Sequence, residues 1–583
     1  MAVAGTGQHV DMSTTTHVSR RTVLQGGAAG LAALALGALT PEQARATVED
    51  GARAGVFGFG VASGDPTATS LLLWTRVTPV PGAVPGSGTG PGSRVDWEVA
   101  ADAGFRRVVR RGTARTDASR DHTVKVVADG LTPYTRYWYR FRTRGATSPV
   151  GRTQTSPDEP GRTHALRLAF VSCSNYTGGY FTAYRGIAAR DDLDAVLHLG
   201  DYLYEYGNAE DRYGPDSLAG TRDHQPPTEM VTLADYRLRH ALYKTDPDLQ
   251  AAHRQHPWIT IFDDHEVTND TYATGAENHQ PQEGDFFVRR AAAYQAYLEW
   301  MPIREPGWQP APHRGTQFFR RFSFGDLADL SVVETRQNRS QQVPTTVGGQ
   351  VNPALADPAR HLPEPEQLRW LTDGIRRSRK PWHLVGNQTV FARLFAVPRA
   401  GVVGGQVFNA DQWDGYQADQ ATLLQAMAAG STHPVVLTGD IHSSWANDLP
   451  LAPDAVGYLA RRSSVGVEFV CPSVTSDGFK ESLGGSAAAA VAATTAFQTT
   501  NPWIRYLEGI GHGFAVVDVT RERVQTDFWF IRSGGDKGLA VDPRTDPAAV
   551  VGFESAWQSV QGSRQVSGPV GQLGPRSDRP RGA

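Results

Sequence analysis

The sequence predicts an α/β protein with a small all-β domain at its N-terminal end. Three observations lead there. Beyond residue 163, short apolar runs alternate with helical stretches. Before them, residues 55–155 show strand-like runs and turn residues without a helical period. Four of the later runs end in side chains able to hold metal ions, where active-site residues of open α/β sheets sit.

The chain has 583 residues, too long for one ordinary core, so two domains are expected. It is 40% hydrophobic and 20% charged, as a globular protein is, and its net charge of -3 gives no basic field for nucleic acid.

Residues 1–46 read as a twin-arginine signal peptide that addresses the chain to the twin-arginine export machinery. Arg20 and Arg21 precede an apolar, small-residue run from Gly26 to Leu39, and Ala44-Arg45-Ala46 offers a cleavage site. A membrane anchor is the alternative, but the run falls short of the ~20 strongly apolar residues a span needs. No later segment is long and apolar enough to span a membrane. The mature protein is therefore expected to be secreted or held in the cell envelope.

Residues 47–155 are expected to form a small β-sandwich. Ser70–Val77 is one strand, Val95–Val99 alternates, and a Pro/Gly/Ser-rich loop joins them. Turn residues at Leu131–Pro133 lead into aromatic alternation over Tyr134–Phe141, which suggests a strand with a tyrosine tucked at its corner. A linker follows at 151–162.

The catalytic domain spans 163–535. Strands are expected at 166–172, 194–199, 257–263, 329–334, 381–386, 434–439, 466–471, 513–519 and 523–531, with helices near 233–244, 288–300 and 364–379. The last helix has Pro365 near its start and puts Leu368, Leu371 and Ile375 on one face. Residues 477–500 read as a loop with a short helix. Residues 536–583 form a C-terminal extension whose Pro-, Arg- and Gly-rich end, 562–583, reads as a disordered tail.

The chemistry lies in four segments: Cys173-Ser174-Asn175, Gly200-Asp201-Tyr202-Leu203-Tyr204, Asp263-Asp264-His265-Glu266 and Gly439-Asp440-Ile441-His442. Each alone is a weak signal; their repetition at strand ends raises it. Asp201 is the natural bridging carboxylate of a two-metal site. Cys173, Asp201, Tyr204 and His442 offer thiolate, phenolate and imidazole, a set suited to iron. Asp201, Asp264 and Asp440 offer hard oxygens, suited to calcium, magnesium or manganese. A disulfide between Cys173 and Cys471, the only cysteines, is the alternative for the thiol. A hydroxide held by the metals is the expected nucleophile. His265 is expected to protonate the leaving group or to stabilise a phosphoryl oxygen, and Glu266 to orient its neighbours. Arg336 and Arg339 are expected to fork two phosphate oxygens, with an ordinary ion pair as the alternative. Asn387 is a further polar candidate. Trp445, Trp503 and Tyr506 are candidate walls of the substrate pocket.

These four motifs, the twin arginines and the start of the β domain at Phe57-Gly58-Phe59-Gly60 resemble the PhoD-like alkaline phosphatases over nearly the whole mature chain. The resemblance implies a metallophosphatase-type sandwich of two sheets flanked by helices. It also implies Fe3+ and Ca2+ at the site and hydrolysis of phosphomonoesters and phosphodiesters at alkaline pH. By motif, Cys173, Asp201, Tyr204 and His442 match the iron ligands, and Asp201, Asp264 and Asp440 the second-metal positions. Phe262 stands where the family usually has Trp, and Glu334 where it usually has Asp. A phospholipase D-like phosphodiesterase is the nearest alternative, since the same site acts on the phosphate of a lipid. A non-catalytic surface-binding protein is the more distant one.

Overall fold

The structure, a computed structural model, describes residues 55–583 apart from 159–162, 164, 210–212, 215–217, 306–307, 310–314, 534–541, 577 and 583. The expected signal peptide lies outside the described residues.

Two sheets pack face to face. The larger has ten strands, and at its centre Ala165–Val171, Ala195–His198, Pro257–Thr260 and Val61–Gly64 run parallel. Gly513–Thr520, Arg523–Arg532 and Val550–Val560 continue one side antiparallel. The second sheet has seven strands, with Ala328–Val332, Trp382–Asn387, His433–Thr438 and Val467–Val470 parallel. Strands buried on both faces read as continuous apolar runs, which is why they were legible. Leu168, Phe170 and Leu197 of one sheet share a core with Leu384, Leu437 and Phe469 of the other.

Helices cover the outer faces. Pro365–Arg377 buries Leu368, Leu371 and Ile375 against the second sheet, with Pro365 in its first turn as expected. Leu233–Tyr243 and Phe286–Trp300 cover the larger sheet. The architecture is thus the two-sheet sandwich flanked by helices, and an N-terminal domain precedes it.

That domain is not a free-standing sandwich. Its five-stranded sheet, centred on Ser93–Ala100 and Arg136–Thr143, packs on three strands that belong to the larger sheet. Leu71–Arg76 shows why. Leu71 and Leu73 face the N-terminal core, while Leu72 and Trp74 face the catalytic core. One strand serves two cores, and sequence alternation alone does not reveal the second. The expected tyrosine corner is present, with the Tyr137 hydroxyl accepting from the Thr132 amide at 3.0 Å.

Two expectations need correction. Among its described residues, the segment 562–583 is not a disordered tail. Val566–Ser567 pairs as a strand, Arg576 is buried against Asp194, and Arg581 pairs with the backbone at Thr135. Charge pairing holds this segment alongside a little apolar surface, the buried Val566 and the packed Leu573, so composition misjudged it. Residues 477–500 carry a 14-residue helix, Ala487–Thr500, capped by Ser486, rather than a short one.

Candidate active site

Every parallel strand of both sheets ends toward the same edge, and the candidate residues follow those ends. Cys173 follows Ala165–Val171, Asp201 follows Ala195–His198, and Asp263 to Glu266 follow Pro257–Thr260. From the second sheet, Arg336 and Asp440 follow two strands and Asn387 closes the strand between them. The Ser172–Ser473 bridge and the Val474 amide, which donates to the Ser172 carbonyl, join the sheets at this edge.

The turns are tight. Gly200 has φ +105, and a Cβ there would lie 2.4 Å from Asp263 Cβ. Gly439 lies against Ser172, where a Cβ would meet its Oγ at 2.4 Å. Glu266 fixes the junction as the sequence suggested. Its carboxylate accepts from the amides of Asp201, Tyr202 and Asp263.

Among the described residues, three groups each bring their ligand atoms within 4.8 Å of one another: Cys173–Asp201–His442, Asp201–Asp264–His265 and Asp201–Asp263–Asp264–Asp440. Asp201 is common to all three. Tyr204, three residues on, places its hydroxyl 3.4 Å from Asp201 Oδ2 and 3.4 Å from His442 Nε2. Six residues expected to hold metal are therefore together. Cys173 is a free thiol, as is Cys471, so the disulfide alternative is not realised.

The electrostatics call for a cation. Asp201 Oδ1 and Asp264 Oδ1 are buried without a hydrogen-bond partner. Burial drives the Asp201 and Asp440 carboxyls well above the usual range, with neighbouring carboxylates adding to it. Burial, and next the Asp201 charge, likewise raise the Cys173 thiol and the Tyr204 phenol. A bound cation reverses this logic by favouring the anionic donors. Burial pushes His442 down to about 4, which leaves a neutral imidazole. Its Nδ1 donates to the Asp477 carbonyl at 2.6 Å, so Nε2 is the nitrogen free to ligate.

His265 lies tilted against Tyr204 with ring centroids 4.2 Å apart, and its Nδ1 meets Glu205 Oε2 at 2.7 Å. Burial opposes its charge. Glu205 first, then Asp264 and Asp201, outweigh burial and raise it well above the ordinary histidine value.

Arg336 departs from expectation. Rather than pointing a free fork at a phosphate, its Nε and Nη2 bind Asp263, its Nη1 binds Asp411 at 2.9 Å, and Nη2 lies 3.5 Å from Asp264 and Asp440. A guanidinium 1% exposed amid four carboxylates is drawn to them. Glu334 supports it by accepting from the Arg336 and Gln337 amides. Arg339 is likewise used, on Asp411 and the Thr271 carbonyl. Asn387 turns inward, accepting from Trp413 and donating to Thr389. Trp445 and Trp503 are fully buried in a core behind the site and line no pocket there.

Sequence reasoning missed Glu205, Asp411, Ser476 and Asp477. Glu205 directly follows Tyr204 and was the one within reach, because a carboxylate beside a site histidine is a common orienting partner. Ser476, which donates to the Tyr204 hydroxyl at 2.6 Å, sits in a polar loop with no distinguishing signal.

The family model for PhoD-like phosphatases matches residues 168–528, and that for the PhoD-like phosphatase N-terminal domain matches residues 42–157. The chain belongs to the PhoD-like phosphatase family. It is 37% identical over 538 residues to alkaline phosphatase D of Bacillus subtilis (strain 168), covering 90% of this chain and 86% of that one. A solved structure of PhoD superposes with a TM-score of 0.76 at 33% identity, covering 90% of this chain and 94% of that chain. As a PhoD-like enzyme the chain is a phosphoric ester hydrolase. Among the described residues no helix is long and apolar enough to cross a membrane.

Proposed function

We propose that this PhoD-like phosphatase is an exported alkaline phosphatase that hydrolyses phosphomonoesters and phosphodiesters, with Fe3+ and Ca2+ as its cations. The observation that carries the reading is the convergence of two unequal donor sets on Asp201, whose Oδ1 is buried without a partner. Cys173, Tyr204 and His442 make the softer set with Asp201, and their donor types suit Fe3+. Asp264 and Asp440 make the hard set with Asp201, which suits Ca2+. When bound, such cations supply Lewis acidity toward phosphoryl oxygens and lower the pKa of water.

The chain's own residues supply orientation and protons. Glu266 holds the turn that carries Asp201. His265, fixed at Nδ1 by Glu205, keeps its other nitrogen for the ester and donates a proton to the leaving oxygen. Arg336 serves here as a positioning residue that balances Asp263 and Asp411. Arg20 and Arg21, the apolar run behind them and Ala44-Arg45-Ala46 support twin-arginine export.

The test is a substrate panel of an aryl phosphomonoester, a nucleotide diester and phosphatidylcholine, each with Ca2+ and after exhaustive chelation. D201N is expected to lose about 10^3-fold or more on both soluble esters, since it disables both donor sets. Chelation is expected to remove activity and Ca2+ to restore it. Activity that survives chelation sinks the hard site, and a strong preference for phosphatidylcholine replaces the substrate class with a lipid diester. The enzyme as isolated is expected to be coloured by ferric tyrosinate and Y204F to be colourless. A colourless, iron-free, fully active wild type overturns the iron assignment.

A further inference from the structure

The structure assigns a role to Glu205: we infer that it is the positioning residue that sets the tautomer and ring plane of His265 for the leaving group. The inference rests on the reading of His265 given above.

Glu205 is fully buried. Its two carboxylate oxygens have separate tasks. Oε1 accepts from the Asn269 amide at 2.8 Å, from Asn278 Nδ2 at 2.8 Å and from Thr268 Oγ1 at 3.3 Å. With three donors on one oxygen, the carboxylate cannot rotate without breaking several bonds. Oε2 is left for His265, which it meets at 2.7 Å. The backbone is pinned as well, since the Met230 amide donates to the Glu205 carbonyl at 3.0 Å.

An ionised carboxylate only accepts, so this contact requires a proton on Nδ1 of His265. With Nδ1–H held by Glu205, a proton given up by the doubly protonated ring leaves from the other nitrogen, and His265 shares with Asp201 and Asp264 a donor group whose ligand atoms lie within 4.8 Å of one another. The ring cannot swing away, because it lies against Tyr204 at 4.2 Å and is edged by Tyr213 at 5.6 Å. A carboxamide at position 205 keeps an acceptor of the same shape, but its NH2 competes for Oε2's position. The donors now on Oε1 select the amide oxygen for themselves and turn the NH2 toward Nδ1. His265 is then left with Nδ1 as an acceptor and its only proton on Nε2, so that giving that proton up would leave an imidazolate, while the packing stays intact.

Chain order supports the pairing. Tyr204 and Glu205 are adjacent in the chain. His265 lies where it meets both, ring against ring with one and Nδ1 against carboxylate with the other. The same short segment therefore carries a candidate ligand and the orienting group of a candidate acid.

The experiment is a double-mutant cycle with E205Q, H265A and E205Q/H265A, run on the metal-loaded enzyme. Two monoesters are compared, one with a poor alkoxide leaving group and one with a dinitrophenolate. E205Q is expected to lower kcat about 10- to 100-fold on the alkyl ester, to leave KM within about twofold, and to change the dinitrophenyl ester little. In the H265A background E205Q is expected to cost nothing further. Metal content and melting temperature of E205Q are expected to match wild type. Equal losses from E205Q with and without His265, or equal losses on both esters, overturn the inference and leave Glu205 a structural residue. If H265A itself shows no leaving-group dependence, it is the reading of His265 as a proton donor that fails. If E205Q and H265A then still share one non-additive loss, Glu205 remains its positioning residue in another role. Independent losses overturn both.

Discussion

Cys173, Asp201, Asp440 and His442 all hold positive φ, at 61, 53, 66 and 54°. Non-glycine residues adopt that region at a cost of about 1–3 kcal/mol each, and such strain clusters at functional sites. Here the four residues follow three strands, so that three strand ends address one point. The carboxylates gathered there need positive charge, and the protein's own contribution is Arg336. R336M is expected to destabilise the fold by about 3–5 kcal/mol, because it leaves buried carboxylates uncompensated. Added Ca2+ is expected to recover part of that loss, since a cation bound to the folded state stabilises it by mass action. Denaturant melts with and without Ca2+ check this, and an R336M protein as stable as wild type without cation refutes it. The candidate donor types were legible in the sequence, because thiol, phenol and imidazole at strand ends have few other uses. The partners were not. Asp411 reaches Arg336 from a loop 75 residues away, and nothing local marks it.

Strands and helices were read well where burial is two-sided or strongly one-sided. The strand expected at 434–439 is His433–Thr438, and the helix expected at 364–379 is Pro365–Arg377. Elements held by charge were read poorly. The C-terminal segment meets the starts of two strands of the larger sheet through Arg576, 3% exposed, which binds Asp194, Asp578 and the Ala165 carbonyl. R576M is expected to cost about 3–5 kcal/mol, as Asp194 loses the cation that offsets its burial. Urea unfolding measures it, and a shift below 0.5 kcal/mol, the range ordinary surface changes show, means the segment is not coupled to the core. The strand Val550–Val560 was also missed, since most of its residues are only half-buried and its pairing partner lies along one edge.

Across the whole molecule, the boundary near residue 157 divides two family models but not the larger sheet. Val61–Gly64 pairs in parallel with Pro257–Thr260, and the Trp74 indole donates to the Glu299 carbonyl at 2.7 Å. A fragment beginning at Thr163 is therefore expected not to fold. It exposes Pro257–Thr260 as a bare edge and strips Ala62, Leu72 and Trp74 from the catalytic core. Gel filtration and near-ultraviolet circular dichroism of the fragment check this, and a soluble, active monomer overturns it.

By itself the sequence determined the strands, the candidate donors at their ends and the family, because apolar runs and their polar ends are local properties. The tertiary structure alone decided that Asp201 is common to every donor group. It alone turned Arg336 onto carboxylates and brought Glu205 to His265. Those are outcomes of Coulomb energy among residues distant in sequence, which no local pattern encodes. The shared strands between the two domains have the same origin: which core a face meets is fixed only when both sheets are in place.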